Sequence, residues 1–218
     1  MELDYSGIDK KLLKVLRKIQ GSDLFNDFYL VGGTALSLQI GHRISEDIDL
    51  FTEKAINKEE ILFFLENNFG NKINIKNNSD IIFQLIINNE LKIDFVKYPY
   101  KLLEPLHKLD GIRLIGKKDL SAMKISAIGT RGDEAKDFVD IYYLLKEITI
   151  DDMFEYFIKK FKTTDIQHYK RSLIYFDDVT VSSWKSVKMI KEKLSITDIK
   201  KTITEKVAEY SQKQIRKR

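Results

Sequence analysis

Residues 28–51 read FYLVGGTALSLQIGHRISEDIDLF. Phe28-Tyr29-Leu30-Val31 is a short apolar run that stops at Gly32-Gly33, the pattern of a strand entering a tight turn. Thr34 then starts a short helix over Ala35–Ile40. Asp47-Ile48-Asp49-Leu50-Phe51 alternates with period two. That predicts a strand with Ile48 inward and the Asp47 and Asp49 side chains on one face, roughly 7 Å apart along the chain.

Outward from this stretch, the same periodicities continue. Upstream, Lys10–Gln20 carries Leu12, Leu13, Leu16 and Ile19 on one helical stripe, closed by Gly21 and Ser22. Downstream, Asn57 caps a helix over Lys58–Asn67, with Glu60 three residues on as a capping box. Three strands are expected at Lys72–Lys76, Ile81–Ile87 and Leu91–Tyr98, with Asn77-Asn78 and Asn88-Asn89 as hairpin turns. Ile112–Ile115 adds a short strand. From Asp119 onward helical spacing dominates: Leu120–Ile128, Glu134–Glu147, Asp151–Lys162, Gln167–Tyr175, Trp184–Leu194 and Thr197–Gln212. The class is therefore α+β: a small mixed sheet with helices over residues 1–116, then a helical bundle over 117–218.

The 218 residues can bury a sizeable core. No cysteine is present, which excludes disulfides, thiolate metal sites and cysteine nucleophiles. Three histidines, His42, His107 and His168, are too few for a His-rich zinc site. No apolar run reaches the length of a membrane span, and Met1-Glu2-Leu3-Asp4 carries acid where a signal peptide carries base. A soluble cytoplasmic protein is expected. The net charge of +4 sits entirely in the tail, since Lys201–Arg218 hold six basic and two acidic residues. That tail is either a solvated helix end or an electrostatic foot for a polyanion such as RNA.

Asp47 and Asp49 repel each other unless a cation lies between them, and oxygen-only ligands favour Mg²⁺ or Mn²⁺ held together with substrate phosphates. Gly32-Gly33, at a strand end opening a helix, lets the backbone approach a phosphate, and Thr34 adds a hydroxyl. Asp94 lies between Ile93 and Phe95 and faces away from them. Three acids from neighbouring strands form the usual two-metal arrangement for in-line phosphoryl chemistry. His42 reads as an exposed loop histidine, Asp177-Asp178 as a turn or cap, and Trp184 as a core anchor. Phe154, Phe157 and Phe161 recur at helical spacing and read as core.

The run Leu30-Val31-Gly32-Gly33-Thr34-Ala35-Leu36, followed by Arg43-Ile44-Ser45-Glu46-Asp47-Ile48-Asp49-Leu50-Phe51, resembles the AbiEii/AbiGii abortive-infection toxin family of polymerase-β-type nucleotidyltransferases. Lys124, Arg131 and Lys136-Asp137-Phe138-Val139-Asp140-Ile141 resemble that family's helical lysine and its basic-Asp-x-x-Asp box. The likeness runs from about residue 28 to 145; the chain beyond about residue 150 carries no motif that matches. The resemblance implies that residues 1–116 form the nucleotidyltransferase domain and that the helical bundle completes its active-site cleft. It implies that Asp47, Asp49 and Asp94 hold Mg²⁺ or Mn²⁺, with Asp94 helping to deprotonate the attacking hydroxyl. Gly32, Gly33 and Thr34 would cradle the triphosphate, Arg43 and Ser45 would assist, Lys124 would contact the phosphates, and Asp137 or Asp140 would complete the site. Asp137 and Asp140, three apart on one helix face, otherwise read as ion-pair partners of Lys136 or Arg131. The implied activity moves a nucleoside monophosphate from an NTP to a hydroxyl, first of all on RNA such as a tRNA end, as a toxin with a cognate antitoxin. A protein or small-molecule hydroxyl, or a non-catalytic binding module of this fold, are the alternatives.

Overall fold

In the computed structural model, residues 2–192 and 194–216 are described. Contacts divide the chain into two compact units. The first holds residues up to Gly41, Ser45–Lys101 and Pro105–Ile115; the second holds His42–Ile44, Leu102–Glu104 and the chain from Gly116 onward.

The first unit is built on a seven-stranded mixed sheet. Its elements are α1 (Lys10–Gln20), a 3₁₀ turn at Asp23–Phe25, β1 (Tyr29–Val31), α2 (Gly32–Ile40), β2 (Ile48–Thr52), α3 (Lys58–Phe69), β3 (Ile73–Asn78), β4 (Ile82–Ile87), β5 (Leu91–Lys97), β6 (His107–Leu109) and β7 (Ile112–Leu114). The strand order is β3-β4-β5-β2-β1-β7-β6. β2 runs parallel to β5, and β1 parallel to β7; the other neighbours are antiparallel. Burial alternates along β2, β4 and β5, so Ile48, Leu50, Phe83, Leu85, Ile93 and Phe95 fill the core. Phe25 stacks on Phe95 with ring centroids 5.7 Å apart and meets Phe64 edge-on at 5.0 Å. Burying each such side chain contributes about 1.5–3 kcal/mol.

Two expectations change here. Asn77 and Asn78 lie within β3, paired with Gln84 and Phe83. The turn comes at residues 79–81, and Asn77 serves it from the strand end, its side-chain oxygen accepting from Ser79 N at 3.1 Å. The β6 strand was not expected; Asp110-Gly111, both at positive φ (50° and 77°), turn it back into β7.

The second unit is helical: α4 (Lys117–Thr130), α5 (Ala135–Leu144), α6 (Ile150–Phe161), α7 (Gln167–Leu173), α8 (Val181–Ser186) and α9 (Ile196–Arg216). α9 buries Ile199, Ile203, Val207 and Tyr210, a stripe at helical spacing. Phe154 and Phe157 of α6 are core, as is Trp184 of α8. Asp119 and Lys160 form a buried ion pair at 2.6 Å, and the Asp119 carboxylate also accepts from Leu103 N. The helix expected over Trp184–Leu194 is instead the shorter α8, capped by Thr180 and ended by an extended Val187. The chain is extended there because it pairs with the stretch around His42: Ile44 N donates to Lys188 O, Ile190 N to His42 O, and Arg43 bridges Met189. Lys193 of that expected helix, and Lys217 and Arg218 of the basic tail, lie outside the described residues.

Candidate active site

The register of the first unit's sheet sets one group of candidate residues. On parallel strands β2 and β5, Asp49 is the partner of Asp94. Val31, the last residue of β1, is the partner of Asp49 from the other side, so the glycine turn begins beside that carboxylate. Asp47 immediately precedes β2. Gly32 adopts φ +70°, and a Cβ built on it would meet Asp49 Oδ2 at 2.2 Å. Only glycine tolerates both the left-handed backbone and that approach. Gly33 follows in the first turn of α2. Thr34 and Ser45 are buried and face each other, Oγ1 to Oγ 2.9 Å apart, and the Thr34 hydroxyl donates to the Asp47 carbonyl. These two hydroxyls therefore fix the backbone that presents Asp47.

Asp94 Oδ1 is buried without a hydrogen-bond partner among the described residues, while Oδ2 pairs with Lys92 Nζ at 3.0 Å. Burial opposes the Lys92 charge, but Asp94, Asp47 and Asp49 outweigh it and raise the lysine pKa, so all three acids act on this ammonium. Lys92 escaped the sequence reading, although period two puts it on the face of Asp94. Gln84 of β4 is the register partner of Asp94 on its other side. Among the described residues, no group of three or more His, Cys, Asp or Glu is already gathered to hold a metal ion. The donors nevertheless suit a hard divalent cation: carboxylate oxygens on adjacent strands, one of them buried and unpartnered.

The second unit gathers the other candidates into a buried charge cluster. Lys124 Nζ lies 2.7 Å from Asp137 Oδ1 and 2.5 Å from Asp140 Oδ2. Arg43 grips Asp140 with Nε at 2.6 Å and Nη2 at 2.9 Å, a bidentate pair. His42 Nε2 is 2.7 Å from Asp140 Oδ1, and half-exposed Arg131 pairs with Asp137 at 2.7 Å. So both α5 acids face Lys124, and Asp137 also takes Arg131. Lys136 approaches Glu134 instead, at 3.8 Å.

His42, expected to be exposed, is fully buried, because its segment is held by the backbone of residues 188–190. Burial lowers its pKa against the pull of Asp140, so the ring is neutral and donates from Nε2. Burial pushes the Asp140 carboxyl upward, but Arg43 and Lys124 outweigh it and hold Asp140 well below the usual carboxylate value. Asp137 is likewise lowered against its burial, by Lys124 and Arg131.

A carboxylate with a depressed folded pKa stabilises the native state above its unfolded pKa, and that contribution is lost as pH falls through the folded value. Both acids therefore add pH-independent stability above about pH 5, lost progressively below about pH 4. Urea unfolding followed from pH 6 to pH 3 should show this acid slope, and Asp140→Asn should flatten it. An equal slope in the variant would contradict the reading of the cluster.

A glycine turn against paired strand carboxylates, on a mixed sheet followed by helices, is the arrangement of a nucleotidyltransferase. The family model described as "Nucleotidyl transferase AbiEii toxin, Type IV TA system" matches residues 14–216, and the chain belongs to that family of NTP-dependent nucleotidyl transferases. The match includes the helical half beyond residue 150, where no motif is readable. An uncharacterised protein of Aquifex aeolicus (strain VF5), aq_aa25, is 31% identical over 209 residues, spanning 93% of this chain and 97% of that protein. MenT4, a nucleotidyltransferase toxin from Mycobacterium tuberculosis H37Rv, shares the fold with a TM-score of 0.61 at 15% identity, over 89% of this chain and 79% of that one. JHP933 from Helicobacter pylori aligns with a TM-score of 0.57 at 17% identity, over 94% of each chain. Among the described residues, no helix is long and apolar enough to cross a membrane.

Proposed function

We propose that this enzyme transfers a nucleoside monophosphate from an NTP to a hydroxyl of RNA, with Mg²⁺ or Mn²⁺ as cofactor. The observation that carries this reading is the register pairing of Asp49 with Asp94 beside the Gly32 turn. Asp47, Asp49 and Asp94 would hold the metal, which when bound supplies charge neutralisation at the phosphates and a lowered hydroxyl pKa. The glycine turn gives backbone N–H groups and a helix N-terminus to the triphosphate. Asp94, with its unpartnered oxygen, takes the proton of the attacking hydroxyl. The hydroxyl oxygen bonds to the α-phosphorus, the bond from that phosphorus to the bridging oxygen breaks, and pyrophosphate leaves. Thr34 and Ser45 act through the position of Asp47. Lys124 reaches the nucleotide's phosphates by exchanging one carboxylate partner for a phosphate, and Arg43, Asp137 and Asp140 hold it in place.

The family's description as a toxin of a Type IV TA system supports the further reading that the chain is the toxin of a pair, with an antitoxin protein as partner. RNA is favoured as the acceptor by the excess of positive charge in the tail, where Lys213 and Arg216 lie in the last turn of α9. The test is incubation of the full chain with each α-labelled NTP, Mg²⁺ or Mn²⁺, and total cellular RNA or total protein. Label in RNA, dependent on metal and on one or a few NTPs, is expected. Label in protein, or in small molecules only, would move the acceptor away from RNA.

A further inference from the structure

The second unit contains a cavity of ≈ 560 Å³ between the end of α4 and the α7 region. Its volume lies within the ordinary range of small-molecule sites, about 300–1,000 Å³. Its lining mixes three kinds of chemistry. Arg131 and Arg171 bring two guanidinium groups. Ile174 and Tyr175 bring apolar and aromatic surface that is 43% and 51% exposed, large for such side chains. Asp178 and His168 bring an acceptor and a ring nitrogen, with His168 Nε2 2.7 Å from the Gly129 carbonyl.

Arg171 makes no side-chain hydrogen bond or ion pair among the described residues, so its whole donor fork is available. Arg131 uses one nitrogen on Asp137 and is otherwise half-exposed. A guanidinium fork matches the oxygens of a phosphate. An exposed tyrosine ring beside an aliphatic side chain is a stacking platform for a planar base. Asp178 repels phosphate and accepts from N–H or O–H, so it suits an exocyclic amine or a ribose hydroxyl at the other end of the same ligand. A simple anion would leave Tyr175 and Asp178 without a role, and an apolar ligand would leave both arginines without one.

We infer that this cavity binds one nucleotide unit, its phosphate on Arg171 and Arg131 and its base on Tyr175. Arg131 links the pocket to the Lys124 cluster, because the carboxylate that it holds is Asp137, which also binds Lys124. The unit could come from the donor NTP or from the RNA acceptor; this choice of sources rests on the transfer reading above, whereas the pocket itself does not.

The experiment is binding without turnover, by the full chain, of two fluorescent probes: an α,β-methylene NTP and a single-stranded RNA octamer with a free 3′ hydroxyl. Arg171→Ala and Tyr175→Ala should each weaken one or both probes about tenfold or more. Tyr175→Phe should keep wild-type affinity, since it keeps the stacking face. In the RNA arm, Arg171→Ala should also make the log–log salt slope shallower by about 0.7. Loss confined to the NTP analogue assigns the donor nucleotide; loss confined to RNA assigns an acceptor nucleotide. Both substituted side chains are exposed, and equal melting temperatures would confirm that the variants fold. Unchanged affinity for both probes in both alanine variants would overturn the inference, as would equal losses in Tyr175→Phe and Tyr175→Ala. A protein that shows the expected losses but transfers no label would sink the proposed reaction and leave the pocket standing. One that transfers label with affinities unaltered in the variants would do the reverse.

Discussion

Asp140→Ala is expected to lower the unfolding free energy by about 3–5 kcal/mol, because it strands buried cations. Asp140 is fully buried, and Arg43, Lys124 and His42 all converge on it. Without it, Arg43 loses a bidentate partner while 4% exposed, and Lys124 keeps only Asp137. For a chain of this size, about 2–4 °C of melting temperature accompanies each kcal/mol, so a fall of about 6–20 °C is anticipated. Denaturant titration of wild type and variant gives the direct comparison. A loss under about 1 kcal/mol would mean that Arg43 and Lys124 regain solvent or other partners, so that removing Asp140 strands no buried charge.

Gly32→Ala should reduce nucleotidyl transfer by about a hundredfold while the protein stays folded. The new methyl would sit 2.2 Å from Asp49 Oδ2, so the carboxylate must move by about an ångström, a displacement that costs this much at a reacting centre. The left-handed backbone at φ +70° adds about 1–2 kcal/mol of strain. Gly70→Ala is the control. Gly70 has φ +84° and ψ 176°, a region essentially restricted to glycine, but nothing within 4 Å of a Cβ, so it carries backbone strain without a collision. It should lose at least as much stability and keep full transfer. Equal activity losses in the two variants would show that lost stability, and not the Asp49 carboxylate, accounts for the effect at Gly32.

Much of this architecture could be read from the sequence, because its signals are local. Period two placed β2, β4 and β5, helical stripes placed α1 and α9, and Asn57 marked the start of α3. Alternation put Asp94 on the face opposite Ile93 and Phe95, but the pairing of β2 with β5 and the register of Asp49 with Asp94 are non-local and came only with the fold. Errors came where a non-local contact decides. The His42–Ile44 stretch reads as a polar loop, but residues 188–190 hold it as a strand, which buries His42 and ends α8 early. The Asp110-Gly111 pair is a hairpin signal that would have exposed β6. Lys92 belongs to no motif, although the alternation that assigns Asp94 to its face of β5 assigns Lys92 there too. Lys124, Arg43, Asp137 and Asp140 could each be named from the sequence, but their mutual burial could not, since it depends on how α4 and α5 pack in the second unit.

The central claim is that the strand carboxylates carry the transfer. Its most direct measurement compares wild type with the Asp47→Asn/Asp49→Asn variant, using the labelled NTP that wild type accepts, total RNA and Mg²⁺ or Mn²⁺. Pyrophosphate release and label in RNA are read together, and circular dichroism confirms that both proteins are folded. The account predicts label and pyrophosphate in equal amounts from wild type, both abolished by chelation, and at least about a thousandfold less of each from the folded double variant. Transfer by the double variant at the wild-type rate would contradict it.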